Sequence, residues 1–144
     1  MRRRLIPVKV VIAALLFILL SFEPDQNKPP KAVMERGKAL YEKECLSCHQ
    51  ADGLGVQRLN PPLAKTKWVL GPKPKLIAIV LNGLTDPIEI DGDSFNNPMP
   101  PHLYLDDQQI SDVLTYVRNS FGNNAIAVTP NDVKKVRSKI VKTK

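Results

Sequence analysis

Apolar positions along this chain change their spacing from segment to segment, and the changes mark its elements. Val10 to Leu20 is an unbroken apolar run of eleven residues behind Arg2, Arg3 and Arg4. From Val33 the spacing turns helical: Val33, Gly37, Leu40, Tyr41, Cys45 and Cys48 recur at steps of three and four, which describes one helix face. Lys75 to Leu81, preceded by Pro72 and Pro74 and stopped near Asn82-Gly83, predicts a second, short helix. Asp106-Asp107 supplies a cap and first-turn acids for a third, with Ile110, Val113, Leu114 and Val117 on its apolar face and Gly122 at its stop. Between these, Ile88 to Phe95 predicts a small hairpin around the Asp91-Gly92 turn. Thr129-Pro130-Asn131-Asp132 reads as one more helix start, with Thr as cap and Pro at the first helical position. Val133, Val136 and Ile140 then form an apolar stripe beside Lys134, Lys135, Arg137 and Lys139. The expected class is all-α, with loops and one minor hairpin.

A chain of 144 residues allows a single domain. The apolar run near the N-terminus matches the core of a secretory signal better than the ~20 residues needed to span a bilayer. No small-x-small cleavage site follows it, because Leu19-Leu20-Ser21-Phe22 is bulky. Residues 1–22 are therefore expected to be a signal peptide or an uncleaved N-terminal membrane anchor, with the arginines kept in the cytoplasm. Residues 23–31, carrying Pro24, Pro29 and Pro30, read as a linker. The domain is expected over 32–122, and 123–144 form a basic C-terminal extension with a short helix. That helix either covers one side of the domain or docks on an acidic partner patch or anionic lipid.

The formal net charge of +7 is terminal. Residues 32–122 hold nine Lys/Arg against eleven Asp/Glu, so the middle of the chain is mildly acidic and offers no nucleic-acid surface.

The chain's two cysteines and one of its two histidines fall together in Cys45-Leu46-Ser47-Cys48-His49. C-x-x-C-H is the attachment pattern of c-type haem. Two thiols at that spacing reach two vinyl groups on one porphyrin edge, and the histidine directly after them brings its Nε2 under the iron as proximal ligand. Two other chemistries share these residues. A thioredoxin-like pair wants a strand leading into the motif, whereas a helix leads into it here. A zinc site would combine Cys45, Cys48, His49 and His102, but adjacent ligands at Cys48 and His49 fit a tetrahedron poorly and the paired second half is missing. A domain of ~90 residues with this much loop buries little of its own surface. A flat apolar macrocycle at its centre would complete the core.

Over residues 32–122 the chain resembles a class I c-type cytochrome. The marks are the helix ending in Cys45-x-x-Cys48-His49, the Pro61-Pro62-Leu63 loop, Met99-Pro100 fifty residues after the histidine, and the helix from Asp106 to Asn119. The hairpin and Trp68-Val69-Leu70-Gly71 are similar to a bacterial subgroup whose members often serve periplasmic dehydrogenases. The resemblance implies a small cytochrome c fold, with helices and loops wrapped around one haem c held by Cys45 and Cys48. It also places the distal iron ligand at Met99, opposite His49. Met99 lies in Asn97-Pro98-Met99-Pro100-Pro101, a stiff loop suited to a thioether, whereas Met34 lies on the incoming helix. His102 is the competitor for that position.

Further roles follow from the resemblance. A proline carbonyl, here that of Pro61, accepts the proximal Nδ1–H and fixes the imidazole; a plain loop proline is the alternative. Gly37 and Tyr41 match positions where the first helix crosses the last, against Val113 and Tyr116. Trp68 and Arg58 are candidates to bond a haem propionate, against a core indole and a solvated arginine. Asn96 and Asn97 are candidate supports of the methionine loop. The implied function is a monohaem one-electron carrier between redox proteins, with a dehydrogenase as donor and an oxidase or other cytochrome as acceptor. It would be exported and periplasmic, soluble or tethered to the inner membrane by its N-terminus, acting as a free shuttle or as a dehydrogenase's electron-accepting subunit. No catalytic acid–base or nucleophile set is recognisable. The alternative is a haem enzyme or ligand sensor with an open or weakly held sixth iron position.

Overall fold

The computed structural model of the protein describes residues 28–142. The expected export segment and the start of the linker lie outside the described residues. Among the described residues no helix is long and apolar enough to cross a membrane.

Among the described residues six helices and one hairpin follow in order: α1 (Lys31–Glu44), α2 (Leu46–His49), α3 (Lys67–Leu70), α4 (Lys73–Asn82), β1 (Ile88–Ile90), β2 (Asp93–Phe95), α5 (Asp107–Arg118) and α6 (Pro130–Lys142). The helix entering the cysteine motif is not continuous. Cys45 departs from helical geometry at φ −121°, ψ −29°, and a separate turn carries Leu46 to His49. α4 starts at Lys73, two residues before the expected Lys75, and takes Pro74 into its first turn. A proline is tolerated there because a first-turn N–H has no helical partner to lose. The hairpin pairs Ile88 with Phe95 and Ile90 with Asp93 around Asp91-Gly92, as its sequence predicts. α5 opens on a capping box: Asp106 accepts from the Gln109 N–H at 2.8 Å, and the Gln109 side chain accepts from the Asp106 N–H at 2.9 Å.

The α1–α5 crossing sets the frame. A Cβ on Gly37 would lie 2.2 Å from the Asp112 carbonyl oxygen and 2.6 Å from the Tyr116 Cβ, so only glycine allows this approach. The sequence reading set Gly37 and Tyr41 against Val113 and Tyr116; the structure keeps Tyr116 at the crossing and has Asp112 in place of Val113 against Gly37. One residue on a helix is about 100° of rotation, and Val113 is turned into a central cavity instead. Beside the crossing, Arg36 grips the buried Asp112 carboxylate through two bonds of 2.6 and 3.0 Å. Tyr41 packs on Tyr116 and Phe121, with ring centroids 5.5 and 5.2 Å apart.

α6 closes the other side and packs on α4 and α5. Val133 is fully buried in the main core cluster. Lys73 and Asp132 pair at 2.6 Å. The Ser111 and Thr115 hydroxyls both donate to the Val128 carbonyl, at 2.8 and 3.1 Å, fastening the segment before α6 onto α5.

Candidate cofactor and metal centre

One cavity gathers the chemistry-bearing residues. It is lined by Cys45, Cys48 and His49, by Pro61 and Leu63 of the following loop, by Trp68, by α4 and α5 side chains, and by Met99 and His102 after the hairpin. Its wall is mostly apolar.

His49 is 9 % exposed. Its Nδ1–H donates to the Pro61 carbonyl at 2.9 Å. A carbonyl only accepts, so the proton is on Nδ1 and the Nε2 lone pair is left free for a metal. Burial pushes the imidazole pKa down, against the opposing pull of Pro61, which keeps the ring neutral as a ligand must be. The Pro61 carbonyl reaches His49 because the chain doubles back through Gly55. That residue has φ +68°, and a Cβ on it would lie 2.3 Å from the Asn60 oxygen and 2.6 Å from the Pro61 oxygen. The Gly55 N–H also donates to the His49 carbonyl at 3.1 Å. Gly55 escaped the sequence reading. The Gly53-Leu54-Gly55 run just after the motif was the available signal.

Both cysteines are free thiols and partly buried. Burial pushes the Cys45 thiol up to about 12, with help from the neighbouring Glu44 and Cys48. Among the described residues no group of three or more His, Cys, Asp or Glu side chains is arranged to hold a metal ion, so the four-ligand zinc alternative gains no support. The end of the motif is tied back to α1 by the Tyr41 hydroxyl, which donates to the Gln50 carbonyl at 2.6 Å.

Met99 is held by backbone on both sides: its N–H donates to the Leu84 carbonyl at 2.8 Å, and its carbonyl accepts from the Leu84 N–H at 2.9 Å. Asn97 fastens the loop to the proximal side. Its N–H donates to the Leu59 carbonyl at 3.1 Å, and its Nδ2 donates to the Asn60 Oδ1 at 2.7 Å. Asn96 instead accepts from the Ser94 hydroxyl within the hairpin. Asn60, buried and unremarked in the sequence, thus joins the two loops that flank the cavity.

Of the remaining candidates, Trp68 lines the cavity and Arg58 does not. Arg58 is exposed at φ +58°, so the structure does not bring it to the site. His102 is 6 % exposed and also lines the cavity. Two buried side-chain nitrogens there, Trp68 Nε1 and His102 Nδ1, have no hydrogen-bond partner. A buried polar group left unpaired costs about 1–3 kcal/mol, so the Trp68 Nε1–H asks for an acceptor, and His102 Nδ1 for a partner, that the protein does not supply. Two thiols, a free imidazole nitrogen, a thioether, apolar walls and an unpaired indole N–H together suit a flat apolar macrocycle with a central metal and polar edge groups. The residues present fit haem.

The profile of the family described as cytochrome c matches residues 34–121. The chain is 38% identical over 107 residues to a gluconate 2-dehydrogenase cytochrome c subunit from Pantoea cypripedii, covering 72% of this chain and 24% of that protein. It is 32% identical over 105 residues to the cytochrome c subunit of a quinone alcohol dehydrogenase from Gluconobacter oxydans, covering 71% of this chain and 22% of that protein. A cytochrome c-552 from Thermus thermophilus is 32% identical over 112 residues, with 72% of this chain and 85% of that protein covered. The chain thus spans less than a quarter of the dehydrogenase subunits and most of the smaller cytochrome.

Proposed function

The chain belongs to the cytochrome c family, whose members carry covalent haem c, and on that premise we propose that it is a monohaem one-electron carrier between redox proteins outside the cytoplasm. Cys45 and Cys48 hold the porphyrin as thioethers. His49 offers Nε2 to the iron, with the Pro61 carbonyl fixing the ring and strengthening it as a donor. Met99 supplies the thioether on the distal side, and Trp68 donates Nε1–H to a propionate. The bound haem supplies a one-electron couple at iron. With His49 and Met99 both holding the iron, no place would be left for a substrate, so the role would be carriage rather than turnover. What supports the reading above all is the His49 tautomer: a buried imidazole with its lone pair free, in the same cavity as Met99 and both cysteines.

Residues 1–22 serve as export signal or anchor, 23–31 as linker and 32–122 as the electron-carrying domain, with α6 appended. The similarity to dehydrogenase subunits favours a dehydrogenase as electron donor and an oxidase or another cytochrome as acceptor. Mass spectrometry of the purified, exported protein should report one haem in excess of the polypeptide. The ferric spectrum should carry the weak red-edge band of thioether ligation, and the ferrous form should not take up carbon monoxide. A colourless product sinks the reading. Ready carbon monoxide binding would favour the open-site alternative.

A further inference from the structure

We infer that Arg137 is a positioning residue for the distal side of the site: it clamps the turn from His102 to Leu105 and, through that turn, holds Met99 in place. The inference rests on Met99 being the iron ligand. The guanidinium uses three donors at once. Nε–H bonds Asp107 Oδ1 at 2.7 Å, Nη1–H the Leu103 carbonyl at 3.1 Å and Nη2–H the Leu105 carbonyl at 2.7 Å. Its side chain is 24 % exposed. The planar fork of arginine meets such a set of acceptors; the single ammonium of lysine cannot.

The clamped turn borders the cavity. The Leu105 N–H closes it on the His102 carbonyl at 3.2 Å. Both end residues are buried, at 6 % and 5 % exposure, and both line the cavity. Between His102 and Met99 stand only Pro100 and Pro101, whose rings fix φ. A shift of the turn is therefore passed to Met99 with little give. The other end of the lever is also firm. Val133, one turn before Arg137, is fully buried, and Asp132 pairs with Lys73 at the start of α4. α6 lies beyond residue 121, where the family profile ends, so the clamp reaches the site from outside the span of that profile.

A distal thioether is displaced by added ligands whenever its loop opens locally. Imidazole titration of the ferric holoprotein reads that opening. Arg137→Ala should bind imidazole about tenfold more tightly, equivalent to about 1.4 kcal/mol, with a weakened red-edge band. Arg137→Lys should fall between it and wild type. Lys135→Ala, on the same helix and exposed, should match wild type. Arg137→Ala with wild-type imidazole affinity and band overturns the clamp, even if the melting temperature falls. If the alanine variant gives no holoprotein, unchanged affinity in both Arg137→Lys and Asp107→Asn overturns it. A wild-type protein without the band overturns the Met99 assignment itself, a failure separable from that of Arg137.

Discussion

Gly55→Ala should be the most informative substitution in the proximal half of the site, because its cost divides into parts that can be measured separately. At φ +68° an alanine carries the left-handed penalty of about 1 kcal/mol. Its Cβ would also stand 2.3 Å from the Asn60 oxygen and 2.6 Å from the Pro61 oxygen. Neither distance is tolerable, so the Pro61 carbonyl must retreat from His49 Nδ1, 2.9 Å away. A hydrogen bond of this kind contributes about 1 kcal/mol, and with the clash the total should reach about 2–4 kcal/mol. Gly92 supplies the control. It has φ +88° with nothing within 4 Å of its added Cβ, so Gly92→Ala carries the backbone penalty alone. Urea unfolding of both holoproteins gives the difference. The potential gives a second reading. The Pro61 bond makes the imidazole a better donor and favours ferric iron, so its loss should raise the midpoint by roughly 20–40 mV, at 59 mV per tenfold for one electron. Should Gly55→Ala cost no more than Gly92→Ala and leave the potential in place, Gly55 does not hold Pro61 over His49 and the argument fails.

Met99→Ala should abolish the red-edge band and lower the potential, whereas His102→Ala should keep the band; the opposite pattern would move the distal ligand to His102. Gly37→Ala should cost about 3 kcal/mol in urea unfolding, since its Cβ meets backbone 2.2 Å away rather than a flexible side chain; a cost under about 1 kcal/mol would mean the α1–α5 crossing has slack. For Asp132, burial pushes its carboxyl up, but bonds from Lys73 and Thr129 outweigh it and hold the pKa down at about 2. A depressed carboxylate stabilises above its unfolded value near 4 and loses that contribution as pH falls through about 2. The advantage of wild type over Asp132→Asn, roughly 1–2 kcal/mol at neutral pH, should therefore shrink between about pH 4 and 2; a constant gap would refute the pairing.

Most elements were legible from local signals. Asp106 with Gln109, Asp91-Gly92 and Thr129-Pro130 each specify a cap or turn within four residues, so tertiary context had little to override. The cysteine motif is local in the same way, and the structure brings Met99 into the same cavity. Contacts made by backbone were not legible. Gly55 beneath Pro61, Asn60 bonded to Asn97, and Leu84 bonded twice to Met99 depend on loops whose mutual approach no spacing encodes. Gly37 and Tyr116 were read correctly at the crossing, but Val113 was named where Asp112 stands, because a helix face known to within one residue is still uncertain by 100°.

Two readings of α6 were open, cover for one side of the domain or a docking element, and a signal favouring the first was present in another helix. Leu76-Ile77-Ala78-Ile79-Val80-Leu81 is apolar without interruption, and a helix apolar all round must be covered all round. A flat cofactor covers one face. Leu76, Ile79 and Val80 line the cavity, but Ile77 and Leu81 do not, and both are fully buried. α5 repeats the division: Val113, Leu114 and Val117 line the cavity, while Ile110 is fully buried away from it. Val133, Val136 and Ile140 of α6 join the same core cluster. A domain closed at residue 122 would leave those second faces of α4 and α5 against water. The stripe on α6 is therefore accounted for inside the fold, and the solvent side of the helix carries Lys134 and Lys135 instead.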